Sequence, residues 1–408
     1  MKKILWITLN PPYSKNLTAG GKTFSYYFKK FCDSGLFEIH VIALSNDAAK
    51  EQLKPEIARE KILYRETNLK SKLHRLSSIE SKINPRNRYG NLISNQFAAF
   101  ILRSAREYLQ EGFIPDVVIL EWTQCTVIAK KIKAIFPQAA LIASEYDVTY
   151  VKYEREAEFA KSSGKFIKRI RARNEKKVEL SALQVCDYTL VQNPENKQLL
   201  VGEGIDTHRI GLLIPKIEKM NDIVRAVRRK DIVFYGAMKR PENYLSAIWF
   251  IEKVMPLLHD HECRFVIVGN NPPRQLMAYA SSNVVVTGFV DSVAPYLEHS
   301  MCFVAPLVLG AGIKVKVLEA MTTGIPVLTN EIGIEGICVT PGSGYYHCET
   351  PAEYAKIINT MCTSFSTPKG MEEYNETGLQ AQRAILAAYD EEHCAQRYIA
   401  DVLRLTER

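Results

Sequence analysis

The chain has 408 residues, with 47% hydrophobic residues, 24% charged residues and a formal net charge of +8. This length predicts two domains, and this composition is ordinary for a globular protein with a sizeable core in each domain. The nine cysteines are scattered without a CxxC pair, which is the usage of a reducing compartment and not of a disulfide scaffold or a zinc site.

The chain begins with MKKILWITLNPPY, in which two lysines precede a short apolar run. Asn10, Pro11 and Pro12 end this run too early for the apolar region of a signal peptide, so we predict a first β-strand here. The other apolar runs are far shorter than the ~20 residues of a membrane-spanning helix. We therefore expect a cytoplasmic protein without a transmembrane segment.

Strand-like and helix-like segments alternate along the first half of the chain. Such alternation predicts parallel strands joined by crossover helices. The predicted strands cover residues 3–9, 37–44, 115–120, 140–144 and 188–192, and the predicted helices cover residues 23–32 and 127–136.

The same pattern begins again after a polar segment at residues 214–230, which we interpret as a linker. We therefore expect two Rossmann-like domains, residues 1–213 and residues 231–384. A last helix is predicted near the C-terminus, and we expect residues 385–408 to return to the N-terminal domain. The predicted elements of the second half are strands at residues 231–235, 265–268, 284–286, 301–305 and 326–330, and a helix at residues 315–322.

The segment APLVLGAGIKVKVLEAM, in the second half, carries the most chemical information. A strand is predicted to end before Gly310 and Gly312, and a helix carrying Lys314 and Lys316 follows. Glycines let backbone N–H groups approach an anion, and a helix N-terminus adds a partial positive charge. With two lysines nearby, this pattern favours a diphosphate. The alternative is a strand–loop–helix connection without a ligand, in which the lysines are solvated. A glycine loop alone is weak evidence for a phosphate site.

Glu319 lies deeper in the same predicted helix, where its carboxylate can accept hydrogen bonds from both hydroxyl groups of a ribose. The segment resembles the donor-site signature of glycosyltransferase family 4, the retaining transferases with the GT-B fold. Many members have two acids in an E-x7-E pattern; Glu319 matches the second, but the first falls at Ala311. The chain instead resembles the subgroup with the signature G-[SA]-G-[TI]-[RK]-x-K-x-x-E-A-M. This resemblance implies donor contacts for the basic residues and Glu319, with Ile313 and Val315 beside them.

The resemblance extends over about residues 229–360. The segment FYGAMKRPENY resembles the first βα unit of the donor domain, with Gly236 at the turn under the diphosphate. Lys239 and Arg240 are candidate cations beside that turn, and surface charge on a loop is the alternative. The segment FVIVGNNPP resembles the next unit, whose loop after Gly269 often lies near the base.

The N-terminal half carries the candidate residues of the acceptor or sugar side. Gly20 and Gly21 lie between the first strand and the first helix, where GT-B enzymes place a glycine pair against the reacting groups. Tyr146 stands where relatives often have a histidine that approaches the donor sugar, and Asp147 follows it. Glu121 ends a predicted parallel strand, and ligands of α/β sheets bind at the carboxyl ends of such strands.

These features predict an α/β protein of GT-B architecture, with two Rossmann-like domains facing across a cleft. The resemblance implies transfer of a sugar from a UDP- or GDP-linked donor to a saccharide or lipid-linked acceptor, with retention, in surface polysaccharide or glycoconjugate biosynthesis. Cations would stabilise the leaving diphosphate, and neither a cofactor nor a metal is required. Lys314, Lys316, Glu319 and Asp147 are the predicted catalytic residues. A sugar-nucleotide epimerase and a non-catalytic sugar-nucleotide-binding protein remain the alternatives.

A basic segment, residues 161–177, suggests one further partner. It contains eight basic residues and one acid, and Phe166, Ile167 and Ile170 are expected to share a helix face. A basic amphipathic helix is typical of a peripheral contact with the inner face of a membrane, and a solvated helix is the alternative. No nucleic-acid-binding motif is present, and the eight histidines lack the spacing of metal ligands.

Overall fold

The computed structural model describes residues 1–12, 18–45, 63–68, 88–158, 162–365, 367 and 371–407. The chain divides into two compact units. The N-terminal unit comprises Met1–Lys216 and Glu391–Arg408, and the C-terminal unit comprises Ile217–Asp390. The divisions therefore lie a few residues beyond the predicted ends at residues 213 and 384.

The N-terminal unit is built on a sheet of seven parallel strands in the order β3-β2-β1-β5-β6-β7-β8. A short strand, β4, packs beside the long helix α6. The strands are β1 (Lys2–Thr8), β2 (Phe37–Ser45), β3 (Leu63–Asn68), β4 (Arg88–Asn91), β5 (Val117–Glu121), β6 (Ala140–Ser144), β7 (Tyr188–Val191) and β8 (Ile210–Leu212). The helices are α1 (Ala19–Ser34), α2 (Asn95–Gln110), α3 (Thr123–Thr126), α4 (Ala129–Ile135), α5 (Thr149–Glu158), α6 (Ser162–Leu183) and α7 (Pro194–Gly202), with a 3-10 turn at Thr207–Arg209.

The central strand β1 is buried on both faces of this sheet. Leu5 and Ile7 pack into one hydrophobic cluster, whereas Ile4 and Trp6 pack into another. Successive side chains of a strand point to opposite faces, so an uninterrupted apolar run is what a parallel sheet covered by helices requires. The prediction of a buried first strand is confirmed by these contacts.

The last helix of the chain, α15 (Glu391–Leu405), belongs to the N-terminal unit. Its Tyr398 ring lies edge-on to Phe31 of α1, with ring centroids 4.9 Å apart. Cys394 and Val402 are also buried against this unit. These contacts confirm the prediction that the C-terminal helix returns to the N-terminal domain, and the return begins at Glu391.

The C-terminal unit is built on a second sheet, with six parallel strands in the order β11-β10-β9-β12-β13-β14. Together the two sheets confirm the predicted pair of Rossmann-like domains. The strands are β9 (Asp231–Tyr235), β10 (Arg264–Val268), β11 (Val284–Val286), β12 (Cys302–Ala305), β13 (Val327–Thr329) and β14 (Tyr346–His347). The helices are α8 (Pro241–Lys253), α9 (Arg274–Met277), α10 (Ala294–His299), α11 (Val315–Met321), α12 (Glu331–Ile334), α13 (Pro351–Ser364) and α14 (Glu372–Ala388), with a 3-10 turn at Met255–Leu257.

Most of the predicted linker is packed into the C-terminal unit. The Met220 backbone N–H donates to Thr322 Oγ1 at 3.0 Å, and the Arg225 guanidinium donates to the Ser300 carbonyl at 2.7 Å. The polar composition of this segment suggested a linker. A polar residue that bonds to a distant backbone group cannot be distinguished in the sequence from one that is solvated. None of the helices in the described ranges is long and apolar enough to span a membrane.

Candidate active site

Two glycine turns meet at the carboxyl edge of the second sheet. Gly236 follows β9 and Gly269 follows β10, and the Gly236 backbone N–H donates to the Val268 carbonyl at 3.0 Å. A Cβ atom placed on Gly269 would lie 1.8 Å from the Gly236 carbonyl oxygen. Because no side chain fits in this gap, the two turns bring bare backbone to the edge where α/β sheets bind ligands.

A third glycine turn leads from β12 into α11. Gly312 has a φ of 70°, a left-handed conformation that glycine adopts without strain. Lys314 is the residue before α11, and its ammonium donates to the Gly312 carbonyl. The same ammonium lies 3.3 Å from Glu335 Oε2. Lys314 thus bonds to the backbone of the turn and to a carboxylate after α12, and these contacts stabilise the conformation of the turn.

Lys316, in the first turn of α11, is the central cation of this edge. Its ammonium lies 4.4 Å from the centre of the Phe234 ring and donates to Asn243 Oδ1. Burial lowers its pKa to about 7, and the neighbouring charge of Lys314 adds to the effect. Within the described part of the chain, no carboxylate is ion-paired with it. A desolvated lysine without an acidic partner gains most from an anionic ligand.

Asn243, which the sequence analysis missed, joins the first and third turns. Its side-chain amide lies in the first turn of α8 and donates to the Ala237 carbonyl at 2.9 Å, while its oxygen accepts from Lys316. A Cβ atom on Gly236 would lie 2.8 Å from the same amide nitrogen. The asparagine therefore fixes the distance between the turn after β9 and the lysine of α11.

Glu319 lies one turn after Lys316 on the same helix and is half-buried. Its carboxylate accepts from the Glu218 backbone N–H at 3.1 Å and lies 3.3 Å from the Tyr235 hydroxyl. That hydroxyl also donates to the Lys316 carbonyl at 2.8 Å. The predicted acid is therefore anchored at the carboxyl end of β9, within the same unit as the glycine turns.

The remaining predicted donor residues surround these groups. Lys239 and Arg240 are exposed on the loop after Gly236, and Arg240 is ion-paired with Glu242 at the start of α8. Arg240 is close enough to contribute to the lowered pKa of Lys316. Ile313 is buried, whereas Val315 is half-buried and begins α11.

The N-terminal unit gathers its candidate residues in a separate cluster. Gly20 lies in the first turn of α1, and a Cβ atom there would lie 3.2 Å from Trp122 Nε1 and 3.6 Å from the Tyr146 ring. The Tyr146 ring stacks on Trp122 with centroids 5.4 Å apart. Gly21 is buried beside Gly20, and Asp147 follows Tyr146 and is half-buried. The structure thus brings the glycine pair and the tyrosine together at the carboxyl ends of β5 and β6.

Glu121 ends β5 as predicted, but its side chain is buried and does not reach the ligand-binding edge that its position suggested. Its side chain is 2% exposed and accepts hydrogen bonds from Trp6 Nε1 at 2.8 Å and the Tyr146 hydroxyl at 2.6 Å. Ser144 donates a third at 3.0 Å. Burial raises the pKa of Glu121 to about 7 in spite of these bonds. In this position Glu121 orients Tyr146, and the tyrosine ring covers it.

Comparison with known proteins agrees with this arrangement. Residues 229–364 match the family described as glycosyl transferases group 1. A Klebsiella pneumoniae protein, described as an uncharacterized 44.6 kDa protein in the cps region, is 26% identical over 141 residues. The match covers 32% of this chain, and it spans about a third, 36%, of that relative's length.

Two solved structures match this chain over nearly its full length. Anabaena Alr3699/HepE in complex with UDP and glucose superposes with a TM-score of 0.65 at 12% identity, covering 99% of this chain and 100% of that one. Sucrose-phosphate synthase from Thermosynechococcus elongatus gives a TM-score of 0.69 at 12% identity, covering 99% and 98%. At such low identity these likenesses show the fold. That fold is the GT-B fold, and the similarity to glycosyl transferases group 1 lies in residues 229–364.

Proposed function

We propose that this chain transfers a sugar from a UDP-sugar to a saccharide or lipid-linked acceptor, with retention of the anomeric configuration, in the synthesis of a surface polysaccharide. The Anabaena relative was crystallised with UDP-glucose, which supports a UDP-linked donor. The Klebsiella relative lies in a cps region, which supports a polysaccharide product. Retention is what the resemblance to family 4 implies.

The observation that carries the proposal is the environment of Lys316. Its ammonium is desolvated and lies beside the glycine turns. Among the described residues, Glu242 favours its charged form from a distance, but no carboxylate forms an ion pair with it. Gly236 and Gly312 have positive φ values and lack a Cβ atom, and backbone of this kind can approach phosphate groups closely. The carboxylate of Glu319, one turn further along α11, would accept hydrogen bonds from the ribose hydroxyl groups in addition to those from the Glu218 N–H and the Tyr235 hydroxyl.

The chemistry follows from the charge that develops on the donor. As the bond between the anomeric carbon and the diphosphate breaks, negative charge grows on the leaving oxygen and an oxocarbenium-like sugar remains. Preorganised cations and N–H groups at this oxygen lower the barrier. The acceptor hydroxyl attacks from the same face, and its proton passes to the leaving phosphate oxygen, so no side chain has to act as the base.

The direct test is transfer activity of Lys316→Ala and Glu319→Ala with a panel of nucleotide sugars and saccharide acceptors. We expect Lys316→Ala to lower kcat by about 10²–10³-fold, the usual loss when one group that stabilises developing charge is removed. Lys253→Ala, at the exposed far end of α8, is the matched control and should transfer normally. Near-normal turnover in both site variants would reject this site.

Product analysis separates the proposed reaction from its alternatives. The NMR coupling of the anomeric proton in the product should report the same configuration as the donor, and an inverted product would contradict retention. Incubation of the donor without acceptor should leave its sugar unchanged, whereas an epimerase would convert it. Donor binding without turnover on any acceptor would instead support a binding protein.

The N-terminal unit supports a role for Gly20 and Tyr146 next to the acceptor or the donor sugar. The glycine presents backbone at the start of a 16-residue helix, and the tyrosine ring is held in place by Glu121 and Trp122. We expect Tyr146→Phe to change the KM of the acceptor without changing the Kd of the nucleotide. An unchanged KM for the acceptor would exclude this role.

Helix α6 supports peripheral attachment to anionic membranes. Phe166 is 74% exposed and Ile167 is 60% exposed, with Lys165, Lys168 and Arg169 beside them. Lys161 of the predicted basic segment lies outside the described residues, and Lys177 lies on α6. An apolar pair rimmed by cations fits the interface of an anionic bilayer.

Vesicle sedimentation tests this attachment. The full chain should bind vesicles that contain phosphatidylglycerol and should not bind vesicles of phosphatidylcholine alone. The double variant Phe166→Ser and Ile167→Ser should lose binding, whereas Phe289→Ser, which removes an equally exposed phenylalanine from the other unit, should retain it. Equal binding by all three proteins would contradict the assignment.

A further inference from the structure

Two cysteines form a close pair in the C-terminal unit, remote from the glycine turns. The Cys263 and Cys362 sulfurs are 2.6 Å apart, although the residues are separated by 99 positions. Cys263 lies just before β10, and Cys362 lies on α13. Because Gly269 follows the other end of β10, the strand places about 17 Å between the pair and the turns.

The spacing of the sulfurs indicates the chemistry of the pair. A disulfide bond is about 2.05 Å long, whereas two thiolates on one tetrahedral zinc ion lie about 3.8 Å apart. The two free thiols, with their sulfurs 2.6 Å apart, are within reach of a disulfide bond. Asp260 is the third ligand-type group nearby, but its oxygens are engaged by the Lys230 ammonium at 2.7 Å and the Glu262 N–H at 2.9 Å. This arrangement favours a covalent bond between the sulfurs over a bound metal.

The pair also has an entrance for a reagent. Cys362 lines a surface pocket of about 570 Å³, together with Lys230, His259 and Asp260. Both sulfurs are buried, with Cys263 2% and Cys362 4% exposed, but Cys362 lines this pocket and Cys263 does not. The hydrogen bond from the Cys263 thiol lowers the pKa of Cys362, and the nearby Lys230 charge acts in the same direction. Cys362 is therefore the sulfur that a small molecule in the pocket meets first.

We propose that Cys263 and Cys362 are a reversible redox pair, oxidised to a disulfide by small disulfides of the glutathione type. The Cys362 thiolate attacks one sulfur of the small disulfide and releases one thiolate, leaving a mixed disulfide on Cys362. The Cys263 thiol then loses its proton and attacks the Cys362 sulfur, which releases the second thiolate. Two cysteine thiols are oxidised, the small disulfide is reduced to two thiols, and the released thiolates take up the two protons.

The bond would join the amino end of β10 to α13 and close a long loop in the unfolded chain. Such a cross-link stabilises a folded unit mainly by restricting its unfolded state, and the effect grows with loop length. The oxidised C-terminal unit should therefore melt at a higher temperature than the reduced one. This inference does not depend on the identity of the donor or on the reaction.

The test uses the full chain in a Cys338→Ser background, because Cys338 is exposed and would itself form mixed disulfides. The protein is equilibrated with defined ratios of oxidised and reduced glutathione, and intact-mass spectrometry with peptide mapping follows the bond. We expect a 263–362 cross-link that disappears with reductant, and a rise in melting temperature on the order of 5 °C.

Single variants distinguish the cysteine that attacks the small disulfide, Cys362, from the cysteine that resolves the mixed disulfide, Cys263. Cys263→Ser should accumulate one glutathione on Cys362, whereas Cys362→Ser should leave Cys263 unmodified. The corresponding alanine variants replace any serine variant that fails to fold. The proposal is overturned if no cross-link forms at any ratio, if both variants react equally, or if the reduced chain binds one zinc ion that blocks oxidation.

Discussion

The lowered pKa of Lys316 predicts that donor binding depends on pH. In the free protein this lysine titrates near pH 7, because burial and Lys314 disfavour its charged form. A bound diphosphate favours the charged form and raises the pKa. Binding therefore takes up a proton at any pH between the two values, and the affinity for the donor falls as the pH rises through that window.

The size of the effect follows from the charge separation. A unit negative charge about 4 Å from the ammonium, at an effective dielectric constant of about 20, contributes roughly 4 kcal/mol, which corresponds to about three pKa units. The bound pKa is then about 10. The affinity should fall about fivefold between pH 7 and pH 8, and about eightfold more between pH 8 and pH 9.

Isothermal titration calorimetry with UDP-glucose measures both the affinity and the proton uptake, in buffers of different ionisation enthalpy. A nucleotide sugar is the ligand of choice because its diphosphate has no group that titrates in this range. Lys316→Met should bind weakly with a flat pH profile, and Lys316→Arg should give a flat profile because its guanidinium stays charged. A flat wild-type profile, or an unchanged slope in Lys316→Met, would show that Lys316 does not take up the proton when the donor binds.

Three further predictions concern residues that hold the two clusters in place. Asn243→Ala removes the hydrogen-bond acceptor of Lys316 and the bond to the Ala237 carbonyl. The free energy of unfolding should therefore fall by about 2 kcal/mol, which thermal melts measure, and the affinity for the donor should weaken, which calorimetry measures. Gly269→Ala forces a methyl group against the Gly236 carbonyl and should destabilise the C-terminal unit by about 1–3 kcal/mol in urea unfolding, unlike Gly202→Ala, where the space is open. Buried Glu121 keeps its proton up to about pH 7 in the folded state, so its contribution to stability is complete below its unfolded pKa and is lost as the pH rises towards 7. Glu121→Gln removes this pH dependence. The free energy of unfolding of the variant, relative to that of wild type, should therefore rise by about 3 kcal/mol between pH 4.5 and pH 7.5. If this difference in free energy were the same at both pH values, the burial of Glu121 would be contradicted.

The sequence predicts the fold well because its signals are local. The strand at Val284–Val286 has the bounds that its apolar run predicts, and Gly236 and Gly269 directly follow predicted strands. A buried parallel strand and the glycine turn after it are encoded by neighbouring residues, so no knowledge of distant contacts is needed.

The partners of the site residues are not local, and the sequence does not reveal them. Lys316 meets Asn243 across 73 positions, and Lys314 meets Glu335 across 21 positions. A lysine beside a glycine turn has the same sequence appearance whether it points to a ligand or to a carboxylate of its own unit. An asparagine in the first turn of the helix after a glycine turn is the signal that would have drawn attention to Asn243.

Glu121 shows the same limit in the other unit. Its position at the end of a parallel strand predicts a side chain near a ligand, and Tyr146 does lie beside it. The bond from Trp6, 115 positions away, turns the carboxylate inward, and only the packed sheet reveals that partner. The position of a residue in the sequence thus predicts which part of the fold it occupies. Whether its side chain can contact a ligand depends on the side chains that pack over it.

A crystal structure of the complex with UDP-glucose would show where the donor diphosphate binds. We expect both phosphate groups at the carboxyl edge of the second sheet, with a phosphate oxygen about 3 Å from Lys316 Nζ and another at a backbone N–H of the turn around Gly312. Phosphates bound elsewhere, with Lys316 still bonded only to Asn243, would contradict this expectation.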